Sequence, residues 1–260
     1  MTRVAPRVYA YNNMAGMVYL VGIGTGNSLD LTPRAEKAIA SAEVVIGHGF
    51  SLHFARHLLK GKEITGQDMS PLERSAIAVS YCLKGMKAVI ISTGDPGIYA
   101  IASTFFGYLK EHNISVPVEI VPGITTSSSA AARLGSPLGN DFAVISLADQ
   151  AGSWPSTLER LKKAAALGFV MVLYNPLGKL GKERVLEASG VLESLLASQT
   201  TVGIVTGAGG EGESVQITSL GMLAQAELSR DSLIIIGNSS TYIYDTWMIT
   251  PRAYQPGLGY

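Results

Sequence analysis

Charge is scarce in this chain. Only 15% of its 260 residues are Asp, Glu, Lys or Arg, against about 25% in an average soluble protein. The 20 basic and 20 acidic residues cancel. A general nucleic-acid binder or a polybasic membrane-surface protein carries a basic excess, so neither class fits. Cysteine is nearly missing. Cys82 stands alone, which excludes an intrachain disulfide framework and a cysteine-ligated iron–sulfur cluster. It lies in the apolar run Ala78–Leu83 and reads as a small buried hydrophobe. No apolar run is long enough to span a bilayer. The longest, 164–174, is interrupted by Gly168. Residues 1–16 lack the apolar stretch of a signal peptide. The expectation is a soluble, cytoplasmic protein with no nucleic-acid or membrane partner.

Several catalytic signatures are also missing. There is no G-x-x-x-x-G-K-[ST] phosphate loop and no G-x-S-x-G nucleophile elbow. His53 and His57, four residues apart, would share a helix face, but no Cys or H-E-x-x-H pattern joins them, so no metal site is expected.

What is present is apolar sequence, 47% of the chain, and 29 glycines. Short β-branched runs alternate with longer helical stretches. Val18–Ile23 reads as a buried first strand. Thr32-Pro33 supplies an N-cap and a Pro at the first helical position, opening a helix to Ala42. Ser70-Pro71-Leu72-Glu73 has capping-box spacing. Strands are expected at 43–46, 62–65, 88–92, 118–121, 142–146, 170–173, 201–205, 215–218 and 233–236. Helices are expected at 51–59, 70–84, 99–111, 124–133, 156–166 and 182–197. The alternation is an α/β signature. Turn formers cluster in Leu134–Asp141. The spacing predicts an N-terminal extension over 1–17 and α/β lobes over 18–136 and 137–260. Their sheets are expected to be mixed but mostly parallel.

The glycines gather after strands. Gly22-Ile23-Gly24-Thr25-Gly26 follows the first one. It is no dinucleotide fingerprint, because Asn27 stands where the third glycine belongs and no acid ends the second strand. Gly94-Asp95-Pro96-Gly97-Ile98-Tyr99 follows another. There Asp95 is open to two readings, a ligand acceptor or an Asp-Pro turn with Asp95 as a helix cap. Pro122-Gly123-Ile124-Thr125-Thr126, Tyr174-Asn175-Pro176 and Thr206-Gly207-Ala208-Gly209-Gly210 follow three more. Ligands of open α/β sheets bind outside the carboxyl ends of strands, so this series predicts a ligand cleft between the lobes. His48, Asp141 and Asp149 are candidate general bases, and residue type alone does not choose among them.

Together the first three clusters resemble those of the tetrapyrrole methylases, two-lobed α/β enzymes that transfer methyl from S-adenosylmethionine. The segments Met69–Arg74, Asp141–Leu147, Tyr174–Pro176 and Met248–Arg252 are similar to the branch acting at C-17 of precorrin-3B, or its cobalt-loaded counterpart, in cobalamin synthesis. Asn27, His48, Asn140, Leu177 and Ala253 depart from the pattern. The resemblance implies S-adenosylmethionine as cofactor and a homodimer. It implies cofactor contacts at Thr25, Gly94, Asp95, Ile98, Tyr99, Thr125, Thr126, Tyr174, Asn175, Gly207 and Ala208. It also implies ring contraction, whose proton transfers make Asp141, His48 and Glu73 the candidate catalytic groups. A substrate rich in carboxylates calls for cations; Arg74, Arg133, Lys179, Arg184 and Arg252 are the candidates. Two alternatives remain. One is a methylase of the same fold acting at another corrin carbon or on another substrate. The other is a non-catalytic tetrapyrrole-binding protein.

Overall fold

A computed structural model describes residues 16–148, 153–177, 182–210 and 212–252. The chain divides into two compact units, Met1–Ile124 and Thr125–Tyr260.

The first unit is a parallel five-stranded sheet. Its strands are β1 (Met17–Gly22), β2 (Val44–Ile46), β3 (Glu63–Thr65), β4 (Lys87–Ser92) and β5 (Val118–Val121), in the order β3-β2-β4-β1-β5. The connecting helices are α1 (Pro33–Ser41), α2 (Gly49–Phe54), α3 (Pro71–Leu83) and α4 (Ile101–Glu111). The inner strands β1, β2 and β4 are apolar at successive positions because both faces are covered. Val18, Leu20, Val44, Ile46, Ala88 and Ile90 pack with Ala78, Val79, Phe105 and Leu109 of α3 and α4. The alternate residues Val21, Val45, Val89 and Ile91 pack with Ala35, Ile39 and Leu52 of α1 and α2. The chain leaves β1 towards β2 over one face and leaves β4 towards β5 over the other. The carboxyl ends of the neighbouring strands β1 and β4 are therefore a topological switch point, where open α/β sheets leave a crevice.

The caps read from sequence are present. The Thr32 side chain accepts from the Ala35 amide at 3.1 Å at the start of α1. Ser70 and Glu73 form a reciprocal capping box at the start of α3. The helix expected over 51–59 is shorter, ending in a 3₁₀ turn over Arg56–Leu58.

The second unit contains α5 (Thr126–Leu134), β6 (Gly135–Ser136), β7 (Phe142–Ser146), α6 (Trp154–Ala166), β8 (Val170–Tyr174) and α7 (Glu183–Glu193). Strands β9 (Thr201–Thr206), β10 (Ser214–Ser219), β11 (Ser232–Ile236), β12 (Tyr242–Tyr244) and β13 (Trp247–Ile249) follow. Its main sheet has the order β10-β9-β11-β8-β7. Only β7–β8 is parallel there; β8–β11, β11–β9 and β9–β10 are antiparallel. The predominance of parallel pairing thus belongs to the first unit.

Unlike the sequence reading, the division falls at Ile124, before α5. Ala130, Ala131 and Leu134 of α5 are buried with Val170, Val172, Val205 and Ile235 of the second sheet. The turn-rich segment after α5 holds β6, which pairs with β13 in a small separate sheet with β12. The β12–β13 hairpin was not read from the sequence.

Candidate functional site

In the first unit, three loops converge at the carboxyl ends of β1, β4 and β5. Gly94 donates its amide to the Gly24 carbonyl at 2.6 Å, and Gly24 returns a bond to the Gly94 carbonyl at 3.3 Å. Gly22 and Gly123 pack against the same spot. A Cβ on Gly22 would lie 2.6 Å from both the Gly123 nitrogen and the Gly94 oxygen. The glycines are required here by close backbone approach. The result is a floor in which the peptide groups of Gly22, Gly24, Gly94 and Gly123 meet directly.

Asp95 ties the floor together. One carboxylate oxygen accepts from the Gly97 amide at 2.8 Å, closing the Asp-Pro turn. The other accepts from the Gly123 amide at 3.1 Å, reaching from the β4 loop to the β5 loop. The Asp-Pro turn is therefore realised, with a long-range bond in addition, but Asp95 caps no helix, because α4 starts only at Ile101 after Ala100. Beside it, Ile98 and Tyr99 are 37% and 50% exposed. Tyr99 has φ 50°, a left-handed backbone uncommon for a bulky residue. In the first loop the Thr25 hydroxyl lies 3.4 Å from an Asp30 carboxylate oxygen, and Asn27 caps the 3₁₀ turn Ser28–Asp30.

In the second unit, side chains hold the corresponding loops. The Tyr174 hydroxyl, at the end of β8, is 2.8 Å from the Thr125 hydroxyl and accepts from the Ser127 amide at 2.9 Å. It caps the first turn of α5, where Thr125 is the N-cap residue and Thr126 begins the helix. Asn175 follows with φ 54°, and its amide nitrogen donates to the Ser146 hydroxyl at 3.1 Å. After β9, Gly207 has φ 61° and Ala208 is buried. The Gly209 amide donates to Glu213 at 2.6 Å. Ser146 and Glu213 were missed from the sequence. Glu213, a carboxylate just after a run of glycines, was the one legible signal.

The candidate catalytic and substrate residues are less gathered. Glu73 is exposed and accepts from the Ser70 amide at 2.7 Å. That bond, with the capping hydroxyl of Ser70, holds its carboxyl below the usual range. It therefore stays charged as a cap, which is poor chemistry for a general acid. His48 is exposed, and its Nδ1 accepts from the Phe50 amide at 3.3 Å at the start of α2. Asp141 is exposed before β7, its carbonyl accepting from the Val170 amide. Arg74 is partly buried, and burial lowers the pKa of its guanidinium. Its stem passes under Gly66.

Arg133 makes an ion pair with Glu213 at 2.9 Å. Arg184 is buried, donates to the Leu147 carbonyl at 2.7 Å and stacks over the Trp154 ring at 4.7 Å. Arg252 is exposed after β13. Lys179 and Asp149 lie outside the described residues, as do residues 1–15.

Comparison with known proteins gives the chain a context. Residues 17–224 match the family described as Tetrapyrrole (Corrin/Porphyrin) Methylases. The chain is 37% identical over 239 residues to a probable cobalt-factor III C(17)-methyltransferase of Methanothermobacter thermautotrophicus, covering 92% of this chain and 67% of that protein. It is 34% identical over 239 residues to the protein of the same description in Salmonella typhimurium, covering 92% and 99%. Among solved structures, that of the methyltransferase CobJ matches with a TM-score of 0.84 at 27% identity, covering 91% of this chain and 100% of that one.

Proposed function

The chain belongs to the tetrapyrrole (corrin/porphyrin) methylases, and from that premise we propose that it methylates C-17 of precorrin-3B or its cobalt-loaded counterpart, with ring contraction, in cobalamin synthesis. The observation that carries this reading is similarity along nearly the whole of a C(17)-methyltransferase, 99% of the Salmonella protein.

The cofactor of the family is S-adenosylmethionine, which supplies an electrophilic methyl on a sulfonium sulfur to an attacking ring carbon. The donor set suits that group. The loops 22–31, 92–99 and 122–124 carry Asp30, Asp95, hydroxyls and peptide groups, and no Lys, Arg or His. A bound sulfonium cation would meet no like charge there. Its proposed contacts are Thr25, Gly94, Asp95, Ile98, Tyr99, Thr125, Thr126, Tyr174, Asn175, Gly207 and Ala208. Asp95 serves chiefly by fixing two loops, since both its oxygens accept from backbone amides. Ile98 and Tyr99 offer exposed apolar surface beside it. Methyl transfer asks the protein to orient two reactants and exclude water, and a pre-set backbone floor does the first of these.

Proton transfer during contraction falls to Asp141 or His48. Glu73 is the weakest member of that set because of its cap. Arg74, Arg252 and Lys179 are the proposed partners of the substrate carboxylates. The reading includes a homodimer in the cytoplasm. Among the described residues no helix is long and apolar enough to cross a membrane.

The test is incubation with S-adenosylmethionine and either ring, metal-free or cobalt-loaded, followed by mass spectrometry. One added methyl on a contracted ring is expected. Failure on both rings removes the reading. Equilibrium sedimentation checks the dimer, and a monomer mass would remove that part alone.

A further inference from the structure

The β9–β10 loop, residues 207–213, contains Gly207, Gly209, Gly210 and Gly212. Three of them have left-handed backbone, with φ of 61°, 80° and 81° at 207, 209 and 212. Glycine there avoids strain, but it leaves the unrestrained loop many alternative conformations. Something must select one. Two backbone bonds contribute, from the Gly207 amide to the Asp231 carbonyl at 3.2 Å and from the Gly210 amide to the Gly207 carbonyl at 2.9 Å.

The third restraint is a side chain. Glu213 folds back so that its Oε2 accepts from the Gly209 amide at 2.6 Å. The same oxygen accepts from Arg133 Nε at 2.9 Å. Arg133 projects from α5, a helix buried against the same sheet, so it gives the carboxylate a rigid anchor. Both bonds are charge-assisted, the stronger and more directional kind. Both side chains are about one-third exposed, 30% for Arg133 and 27% for Glu213, so the pair is worth less than a buried one. Its value lies in geometry.

We propose that Glu213 and Arg133 form a positioning clamp that fixes the Gly207–Gly210 loop for the cofactor, and that Arg133 serves this clamp rather than the substrate. The cofactor part rests on the methyltransferase reading above. Neither residue touches the reacting atoms. Arg133 acts through Glu213, and Glu213 acts through the Gly209 peptide.

The experiment combines three readouts on the full chain: S-adenosylhomocysteine affinity by calorimetry, hydrogen exchange at the Gly209 amide, and separate KM values for the two substrates. Glu213→Ala should weaken S-adenosylhomocysteine about tenfold, the range for a lost charge-assisted bond. It should also speed Gly209 exchange and leave the KM of the tetrapyrrole within about twofold, as expected of a group that bears on one ligand only. Glu213→Gln keeps an acceptor and the shape, so it should fall between wild type and Glu213→Ala. Its melting temperature checks that folding is intact.

Arg133→Met should shift cofactor affinity in the same direction by about threefold, as befits a partly exposed pair. Adding it to Glu213→Ala should cost nothing further, since the two act as one unit. A raised tetrapyrrole KM with cofactor affinity intact in Arg133→Met overturns the proposal and returns Arg133 to the substrate. Wild-type affinity and exchange in Glu213→Ala overturn it as well. Should the wild-type protein bind no S-adenosylhomocysteine, the methyltransferase reading fails and takes the cofactor part with it. Gly209 exchange then still decides whether the clamp exists.

Discussion

The two units hold the loops at the ends of their strands with different shares of backbone contact and side-chain reach. In the first, Gly22, Gly24, Gly94 and Gly123 bring peptide groups into direct contact, and both Asp95 carboxylate oxygens accept from peptide amides. In the second, the Tyr174 hydroxyl, the Asn175 amide and the Glu213 carboxylate reach across to neighbouring elements, the last of them to Arg133 of α5. A backbone-built site is damaged by adding atoms, and a side-chain-built site by removing them. In the first unit, parallel strands at a switch point bring several strand ends side by side, so their loops touch directly. In the second, the partners lie on α5 and at the end of the parallel neighbour β7, and side chains make the reach.

The sharpest way to break the comparison is Gly123→Ala. The added Cβ would lie 2.7 Å from the Gly22 carbonyl carbon and 2.9 Å from its Cα, and closer still to the Gly94 oxygen. Backbone on all sides cannot rotate away, so a loss of about 3 kcal/mol is expected, the upper range for overpacking. Urea unfolding measures it. A loss under about 1 kcal/mol, below that range, would mean the floor is softer than its geometry implies. Tyr174→Phe tests the second unit by subtraction. It leaves the Ser127 amide at the buried start of α5 without its acceptor. The cost should be about 1–2 kcal/mol, with the fold retained.

The smallest effect is expected at Glu73, outside both sets of loops. Its carboxyl is held below the usual range by the Ser70 amide, so its folded pKa is depressed. The stability it contributes is complete above the unfolded carboxylate pKa. It is lost as pH falls through the folded value. Melting temperature followed from about pH 6 to 3 should therefore drop a little less in Glu73→Gln than in wild type. An equal drop would remove the cap as an acid-sensitive element.

How much of this was legible depends on sequence distance. The Thr32-Pro33 start and the Ser70–Glu73 box are local patterns, and both are present as read. The glycine loops were legible because a turn announces itself by composition. Their ties were not. Tyr174 and Thr125 are 49 positions apart, and Asp95 and Gly123 are 28 apart. The side of the division on which α5 lies was equally hidden, because Ala130 and Leu134 suit any apolar surface. Glu73 was read twice, as a cap and as a proton carrier, and the structure supplies the partner of the first reading. The β12–β13 hairpin escaped because its turn lacks glycine; Asp245 takes the left-handed position at φ 56°.

The pairing of β6 with β13 has a consequence for the order in which the chain can fold. Met248 lies opposite Gly135 and Ile249 opposite Ser136, so the second unit joins its first strand to the last one among the described residues. A nascent chain completes β1 to β5 by Val121 and can close the first sheet while synthesis continues. The five-stranded sheet of the second unit is complete only at Ile236, and its small three-stranded sheet must wait for Ile249. Closing so long a loop is entropically slow, and until then the peptide groups of β6 have no strand partner. Slowing the ribosome late in the message would prolong the period in which the first half is finished and the second is still open.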